Sequence, residues 1–179
     1  MRRRLSVVEV EAMVEAGIFA EDERFELIGG EIVPMSPKGI RHEVIKGSLN
    51  MYWASRLPPE IAMLPETTFR LSKDTFVEPD FVFFRRADGL KALSPATALL
   101  AVEVADSSLA YDLDRKTRIY AAAGVREVWV IEAQSLTTHI RRSPGIDGYR
   151  EQFAVLPDQT LTLAFAPALD LSLGQLELV

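Results

Sequence analysis

Glu103 stands in the middle of LLAVEVA, a short run whose neighbours are apolar on both faces of any strand it forms. An unpaired carboxylate buried there is costly and tends to hold its proton. Two readings follow: a strand-end glutamate satisfied by an arginine, or a metal ligand or general acid/base. Asp80 is the second such residue, placed directly after Pro79 in VEPDFVFF. Pro79 cannot donate to a ladder, so this point is an edge, a bulge or the start of a strand. A plain turn leading into a strand accounts for Pro-Asp equally well. Taken together, two carboxylates in neighbouring hydrophobic runs suit a hard divalent cation, which takes oxygen ligands.

The remaining polar residues are less distinctive. Lys116, in DLDRKTRIYAAAG, reads from its neighbours Arg115 and Arg118 as part of a solvated helix face. Asp112 and Asp114 suit the first turn of that helix, where acids complement the macrodipole. Glu26 occupies a half-buried hairpin position that would hold either a cross-strand ion pair or a functional acid. His42 falls near a helix start, where a satisfied structural histidine is the common outcome, and His139 in THIRR reads as exposed. Ser107 and Ser108 lack the Gly-x-Ser-x-Gly turn of a nucleophilic serine. No Gly-rich loop built to cradle phosphate precedes a helix. The chain contains no cysteine and two histidines, which removes disulfides, thiolate chemistry and zinc-thiolate sites, so a metal here would be bound by oxygen.

Elements that could position these residues are legible in the pattern. Ser6 with Glu9 forms a capping box ahead of Val7, Val10, Val14 and Ile18 at helical spacing. FELI and EIVP flank Gly29-Gly30, which predicts a hairpin with Glu26 on its first strand. Apolar residues at three- and four-residue spacing from about Lys38 to Arg56 (Ile40, Val44, Ile45, Leu49, Tyr52, Trp53) predict a second helix stopped by Pro58 and Pro59. Residues Ala62 to Leu71 and Thr75 to Phe84 read as the two arms of another hairpin around Ser72 to Asp74. Ala98 to Val104 is a buried strand, followed by a helix from about Tyr111 to Ala123 and a buried strand Glu127 to Ile131. A strand, helix, strand unit joins parallel neighbours. Antiparallel strands follow, at Thr137 to Arg141, Tyr149 to Val155 and Thr160 to Leu163, divided by Pro144, Gly145, Gly148 and Pro157. The expected fold class is α/β: a mixed sheet with helices packed on it, in one domain over residues 1–179.

Size, composition and charge narrow the function. A chain of 179 residues with 48% hydrophobic and 26% charged residues makes one ordinary globular core and is neither disordered nor fibrous. The longest apolar stretch, interrupted by Glu103, falls short of the about 20 residues of a spanning helix. Arg2 to Arg4 would suit the basic start of an export signal, but Glu9, Glu11 and Glu15 occupy the place of its apolar core. A cytoplasmic protein without membrane contact is the expectation. The net charge of -6 is unevenly spread: residues 1–37 carry 4 basic and 8 acidic side chains, residues 119–179 carry 4 and 7, and the middle carries 12 and 11. Non-specific coating of nucleic acid is disfavoured. A local basic patch drawn from Lys38, Arg41, Lys46, Arg85, Arg86, Lys91, Arg115, Lys116 and Arg118 is not.

Four blocks in order, FELIGGEIVPMSP with His42 following, VEPDFVFF, AVEVADSS and DRKTRIYAAAGVREVWVI, resemble the Uma family of putative restriction endonucleases over most of residues 24–132. That family is similar to the PD-(D/E)XK nucleases, so the resemblance implies a restriction endonuclease-like domain, a central mixed β-sheet flanked by helices. It matches Asp80 to the acid of the Pro-Asp motif and Glu103 to the second carboxylate. Two residues past Glu103, where the superfamily usually has lysine, this sequence has Ala105. The Uma pattern puts a lysine on the following helix, four before a tyrosine, and Lys116 with Tyr120 fits. Glu26 matches the hairpin acid and His42 the helix histidine.

The resemblance implies a metal-dependent endonuclease that hydrolyses DNA phosphodiester bonds. Mg²⁺ or Mn²⁺ would be held by Asp80, Glu103 and the carbonyl of Val104, with Lys116, Glu26 and His42 completing the catalytic set. A catalytically silent scaffold that binds nucleic acid or protein is the alternative, and hydrolysis of a non-nucleic substrate a third. DNA is the expected partner. By family analogy the chain pairs into a homodimer or other homo-oligomer, with strands such as LTLAF and LELV available to an interface.

Overall fold

The computed structural model describes residues 3–179, so Arg2 of the basic start lies outside it. The chain opens with α1 (Val7–Glu15), whose capping box is complete: the Ser6 hydroxyl accepts from the Glu9 N–H, and the Glu9 carboxylate accepts from the Ser6 N–H. Val7 and Val10 turn inward, whereas Val14 and Ile18 of the expected apolar stripe are exposed. The hairpin follows as β1 (Phe25–Ile28) and β2 (Glu31–Pro34). Gly29 and Gly30 both have positive φ, +58° and +79°, as a two-residue turn of the primed type requires.

Gly30 is also crowded: a Cβ there would lie 2.6 Å from the Arg4 Cβ and 2.9 Å from the Leu5 carbonyl oxygen, while one on Gly29 would meet nothing within 4 Å. Gly30→Ala is therefore expected to cost about 1–3 kcal/mol, combining left-handed strain with a backbone clash. Gly29→Ala should cost less. Thermal melts of the two variants side by side check the ordering, and equal losses would refute it.

The second helix is α2 (Ile40–Ala54). Ile40 is exposed, and the inward face is His42, Ile45, Ser48, Leu49 and Trp53. A histidine thus begins a buried stripe that is otherwise apolar except for Ser48, whose hydroxyl donates to the Val44 carbonyl. The expected pair of long hairpin arms breaks into four strands: β3 (Ile61–Pro65), β4 (Phe69–Ser72), β5 (Thr75–Val77) and β6 (Phe81–Arg85). Only β4 and β5 form the hairpin. Both breaks have local causes: Glu66 follows Pro65 with a left-handed φ of +48°, and Pro79 has no N–H to continue a ladder. The inner pieces join a four-stranded sheet in the order β2-β1-β5-β4, and the outer pieces β3 and β6 pair in the large sheet.

That sheet continues with β7 (Ala98–Ala105), β8 (Glu127–Glu132), β9 (Thr138–Gly145) and β10 (Gly148–Val155), in the order β10-β9-β8-β7-β6-β3. Among these strands β7 and β8 run parallel, as expected of the crossover, and the other neighbouring pairs run antiparallel. β9 and β10 divide at the turn between Gly145 and Gly148, as expected, with Pro144 and Gly145 ending β9 and Gly148 opening β10. The crossover consists of α3 (Leu109–Tyr111), a π-helical turn over Asp112–Lys116, and α4 (Thr117–Ala123), ended by Gly124 at φ +85°. The chain closes with a two-stranded sheet, β11 (Leu161–Leu163) and β12 (Ala166–Leu171).

Alternation along β6, β7 and β8 divides the core in two. Phe81, Phe83, Val102, Val104, Trp129 and Ile131 face α2 and the C-terminal strands, with Trp53 packed edge-on against Phe81 and Phe83. Val82, Ala101, Ala105, Val128 and Val130 face α4 and the small sheet. Leu161, Leu163 and Ala166 of the LTLAF region are buried in the first of these clusters, so these side chains serve the chain's own core rather than an interface. Among the described residues no helix is long and apolar enough to cross a membrane.

Candidate functional site

Phe81 on β6 lies opposite Val102 on β7, and one further step along that register places Asp80 opposite Glu103. Strand period puts Asp80 with Val82, and Glu103 with Ala101 and Ala105, on the α4 face of the sheet. The β6 ladder ends at this point because Pro79 lifts the chain away. The N–H of Val104 then takes the Asp80 side chain as its acceptor, at 2.7 Å to Oδ2. Sequence-distant acids thus meet because one ladder stops where the adjacent strand continues.

From the end of the π-turn Lys116, and from α4 Tyr120, reach the same spot. The Lys116 ammonium lies 3.0 Å from Glu103 Oε1 and 2.9 Å from Glu26 Oε1, and the Tyr120 hydroxyl donates to Glu103 Oε1. Lys116 is 6% exposed, so it is not on a solvated face, and Tyr120 is fully buried. Asp112, Lys116 and Tyr120 share one face at four-residue intervals, and the π-turn sits under the first two. Glu26 is carried in by the small sheet and accepts from the Glu78 N–H at 3.0 Å. From the opposite side, the His42 Nε2 of α2 lies 3.0 and 3.1 Å from the two Asp80 oxygens.

Asp80, Glu103, Lys116, Glu26 and His42, all picked out in the sequence, therefore line one cavity of about 350 Å³ together with Val104. Two residues in it were missed. Asp112, assigned to the helix macrodipole, is 5% exposed and lines the cavity, accepting from the Ser108 hydroxyl. Its spacing of four from Lys116 is the signal that could have placed it there. Lys38, from the loop between β2 and α2, lies 2.6 Å from Asp80 Oδ1 and 2.7 Å from Glu66 Oε1. No periodic signal marks a loop lysine. His139 is on β9, away from this cavity and partly buried rather than exposed.

Charge in the cavity is unbalanced: Glu26, Glu78, Asp80, Glu103, Asp106 and Asp112 face Lys38 and Lys116. Burial, reinforced by the carboxylates of Asp112, Asp80 and Glu26, pushes the Glu103 carboxyl up to about 8 against the pull of Lys116. Asp80 goes the other way. Burial would raise it, but the His42 hydrogen bond and the Lys38 charge prevail and hold it at about 2. Burial also works against the Lys116 ammonium, yet Glu103, Glu26 and Asp112 keep it charged well beyond the usual lysine range.

These directions set a pH dependence. The folded protein holds a proton on Glu103 that the unfolded chain, at an ordinary 4.5, has released, so stability falls as pH rises from about 4.5 to about 8. The Asp80 contribution is lost only in the acid range, as pH falls towards about 2. The metal-free protein should melt at least about 3 °C lower at pH 8 than at pH 5, and Glu103→Gln should flatten that slope. An unchanged slope in the variant would assign the effect elsewhere.

Among the described residues no three His, Asp or Glu side chains stand close enough to cage an ion unaided. The donor chemistry nonetheless fits an octahedral divalent cation, which is commonly held by one or two carboxylates plus waters and substrate phosphate. Asp80, Glu103 and the Val104 main chain supply hard oxygen donors on one wall of an acid-rich cavity. Of the basic residues available for a local patch, Lys38, Arg41, Lys46, Lys116 and Arg118 pair with carboxylates, and Arg85 and Arg86 lie at the opposite end of β6.

A family model described as Uma2, putative restriction endonuclease, matches residues 8–174. The crystal structure of a putative nuclease belonging to DUF820 from Anabaena variabilis ATCC 29413 shares the fold, with a TM-score of 0.73 at 18% identity, covering 96% of this chain and 97% of that one. No curated protein matches the sequence.

Proposed function

The chain belongs to the Uma2 family, described as putative restriction endonucleases, and from that premise we infer that it hydrolyses phosphodiester bonds of DNA with the help of a divalent metal ion. The observation that carries the reading is the opposition of Asp80 and Glu103 where β6 stops pairing with β7, with Lys116 between Glu103 and Glu26. Asp80, Glu103 and the Val104 carbonyl would hold Mg²⁺ or Mn²⁺. Such an ion, when bound, supplies positive charge at the scissile phosphate and a more acidic water.

The chain's own groups do the rest. Lys116, charged and immobilised by two carboxylates, stabilises negative charge developing on the phosphoryl oxygens and orients the attacking water. Glu26 positions that ammonium, and Tyr120 fixes the Glu103 carboxyl. His42 holds Asp80 in its rotamer and stands at the cavity wall within reach of a phosphate.

The test is incubation of the purified protein with supercoiled and single-stranded DNA in the presence of Mg²⁺ or Mn²⁺. Cleavage that requires the ion is expected. An intact substrate in every DNA form, from protein that demonstrably binds Mn²⁺, would overturn the reading in favour of a binding module.

A further inference from the structure

Asp80 already has a cation. The Lys38 ammonium stands 2.6 Å from Oδ1, and its side chain is only 16% exposed. The Val104 N–H takes Oδ2 and His42 Nε2 stands 3.1 and 3.0 Å from Oδ2 and Oδ1, so Oδ1, the oxygen without a main-chain donor, is the one an incoming ion would share, and it is the one Lys38 covers. A divalent ion and an ammonium on the same carboxylate oxygen repel each other strongly at such separations.

The same ammonium has a second acceptor within reach. Glu66 Oε1 lies 2.7 Å from Lys38, and Lys46 and Arg24 hold that oxygen in place at 3.0 and 3.3 Å. Glu66 keeps its left-handed backbone, φ +48°, while presenting its carboxylate to three cations from three chain segments. Lys38 itself is carried by the stretch between β2 and α2 that forms neither helix nor strand, so a small shift of this loop moves it off Asp80 without leaving it unpaired.

We propose that Lys38 is the resident counter-ion of Asp80 and yields its place to the divalent ion by retreating onto Glu66. Lys38 thereby sets the metal affinity of the site. Without metal it keeps the buried Asp80 neutralised; with metal it remains beside the ion as a positive charge. The inference rests on the metal-binding reading above, and its test separates the two.

Mn²⁺ binding is measured by calorimetry on the parent protein, Lys38→Met, Lys38→Gln and Asp80→Asn, with thermal melts of each in the absence and presence of Mn²⁺. Both Lys38 variants are expected to bind Mn²⁺ at least about tenfold more tightly than the parent, because binding no longer displaces a cation. Metal-free Lys38→Met should melt below the parent and recover with Mn²⁺ by more than the parent does. Lys38→Gln leaves a neutral donor on Asp80 and should show the affinity gain with a smaller loss of stability. Asp80→Asn should bind weakly. Equal or weaker Mn²⁺ binding in both Lys38 variants, with Asp80-dependent binding in the parent, overturns the role of Lys38 and leaves the metal site standing. No Mn²⁺ binding by any folded variant overturns both.

Discussion

Glu103→Gln is expected to lose metal-dependent DNA cleavage by about a thousandfold or more while melting no lower than the parent at pH 8. The two halves of this result have one cause. Glu103 is the central strand's buried acid, placed among Asp80, Asp112 and Glu26, and its ionised form is disfavoured until a cation arrives. Glutamine keeps the shape and the oxygen that accepts from Tyr120 and Lys116, but removes the charge that costs stability and would hold the ion. Sites that store such cost lose function when relieved of it. Cleavage of supercoiled DNA and a thermal melt on the same preparation check both halves. A variant that cuts normally removes Glu103 from the mechanism.

Lys116→Met is expected to lose both properties. Removing one partner of a buried ion pair leaves the other uncompensated, at a cost of about 3–5 kcal/mol. Here the residues abandoned are Glu103 and Glu26, each within 3.0 Å of the lost ammonium. The loss should grow above about pH 8, where the parent's Glu103 ionises against Lys116, and be smaller at pH 5, where Glu103 is protonated with or without the lysine. Lys116→Met combined with Glu103→Gln should recover much of the stability and none of the activity, since the double variant has neither the ammonium nor its unpaired acid. Denaturant unfolding of the two single variants and the double variant measures this coupling. Additive losses would mean that Lys116 and Glu103 do not act on each other.

Both predictions concern residues legible in the sequence, for different reasons. Glu103 and Asp80 were visible as carboxylates where hydrophobic strands leave no room for them. Lys116 by its own neighbours read as a surface residue, and only the family resemblance, with Tyr120 four residues on, pointed inward. Lys38 and Asp112 were overlooked because their significance depends on what the fold places opposite them. A lysine in a loop is ordinary until a second segment arrives within 3 Å, and an acid in a first helical turn is ordinary until the fold sets it in a cavity wall.

Much of the local architecture was decided by the sequence itself. The Ser6 and Glu9 capping box, the positive φ demanded at Gly29-Gly30, the Pro58-Pro59 stop and the hydrophobic runs of β7 and β8 each depend on a few neighbouring residues, so they could be read without a partner. What only the tertiary structure decided is the division of residues 61–85 between two sheets, and with it the acid-lined cavity. Pro79 was visible in the sequence as an edge, bulge or strand start and the break at Glu66 was not; a turn permits many destinations, and the choice among them is made by which strand edge is free to pair. Sending β6 to β7 ends a ladder beside Glu103 and brings Asp80, His42 and Lys38 together from three segments. The charge balance of that cavity exists only after those segments have met.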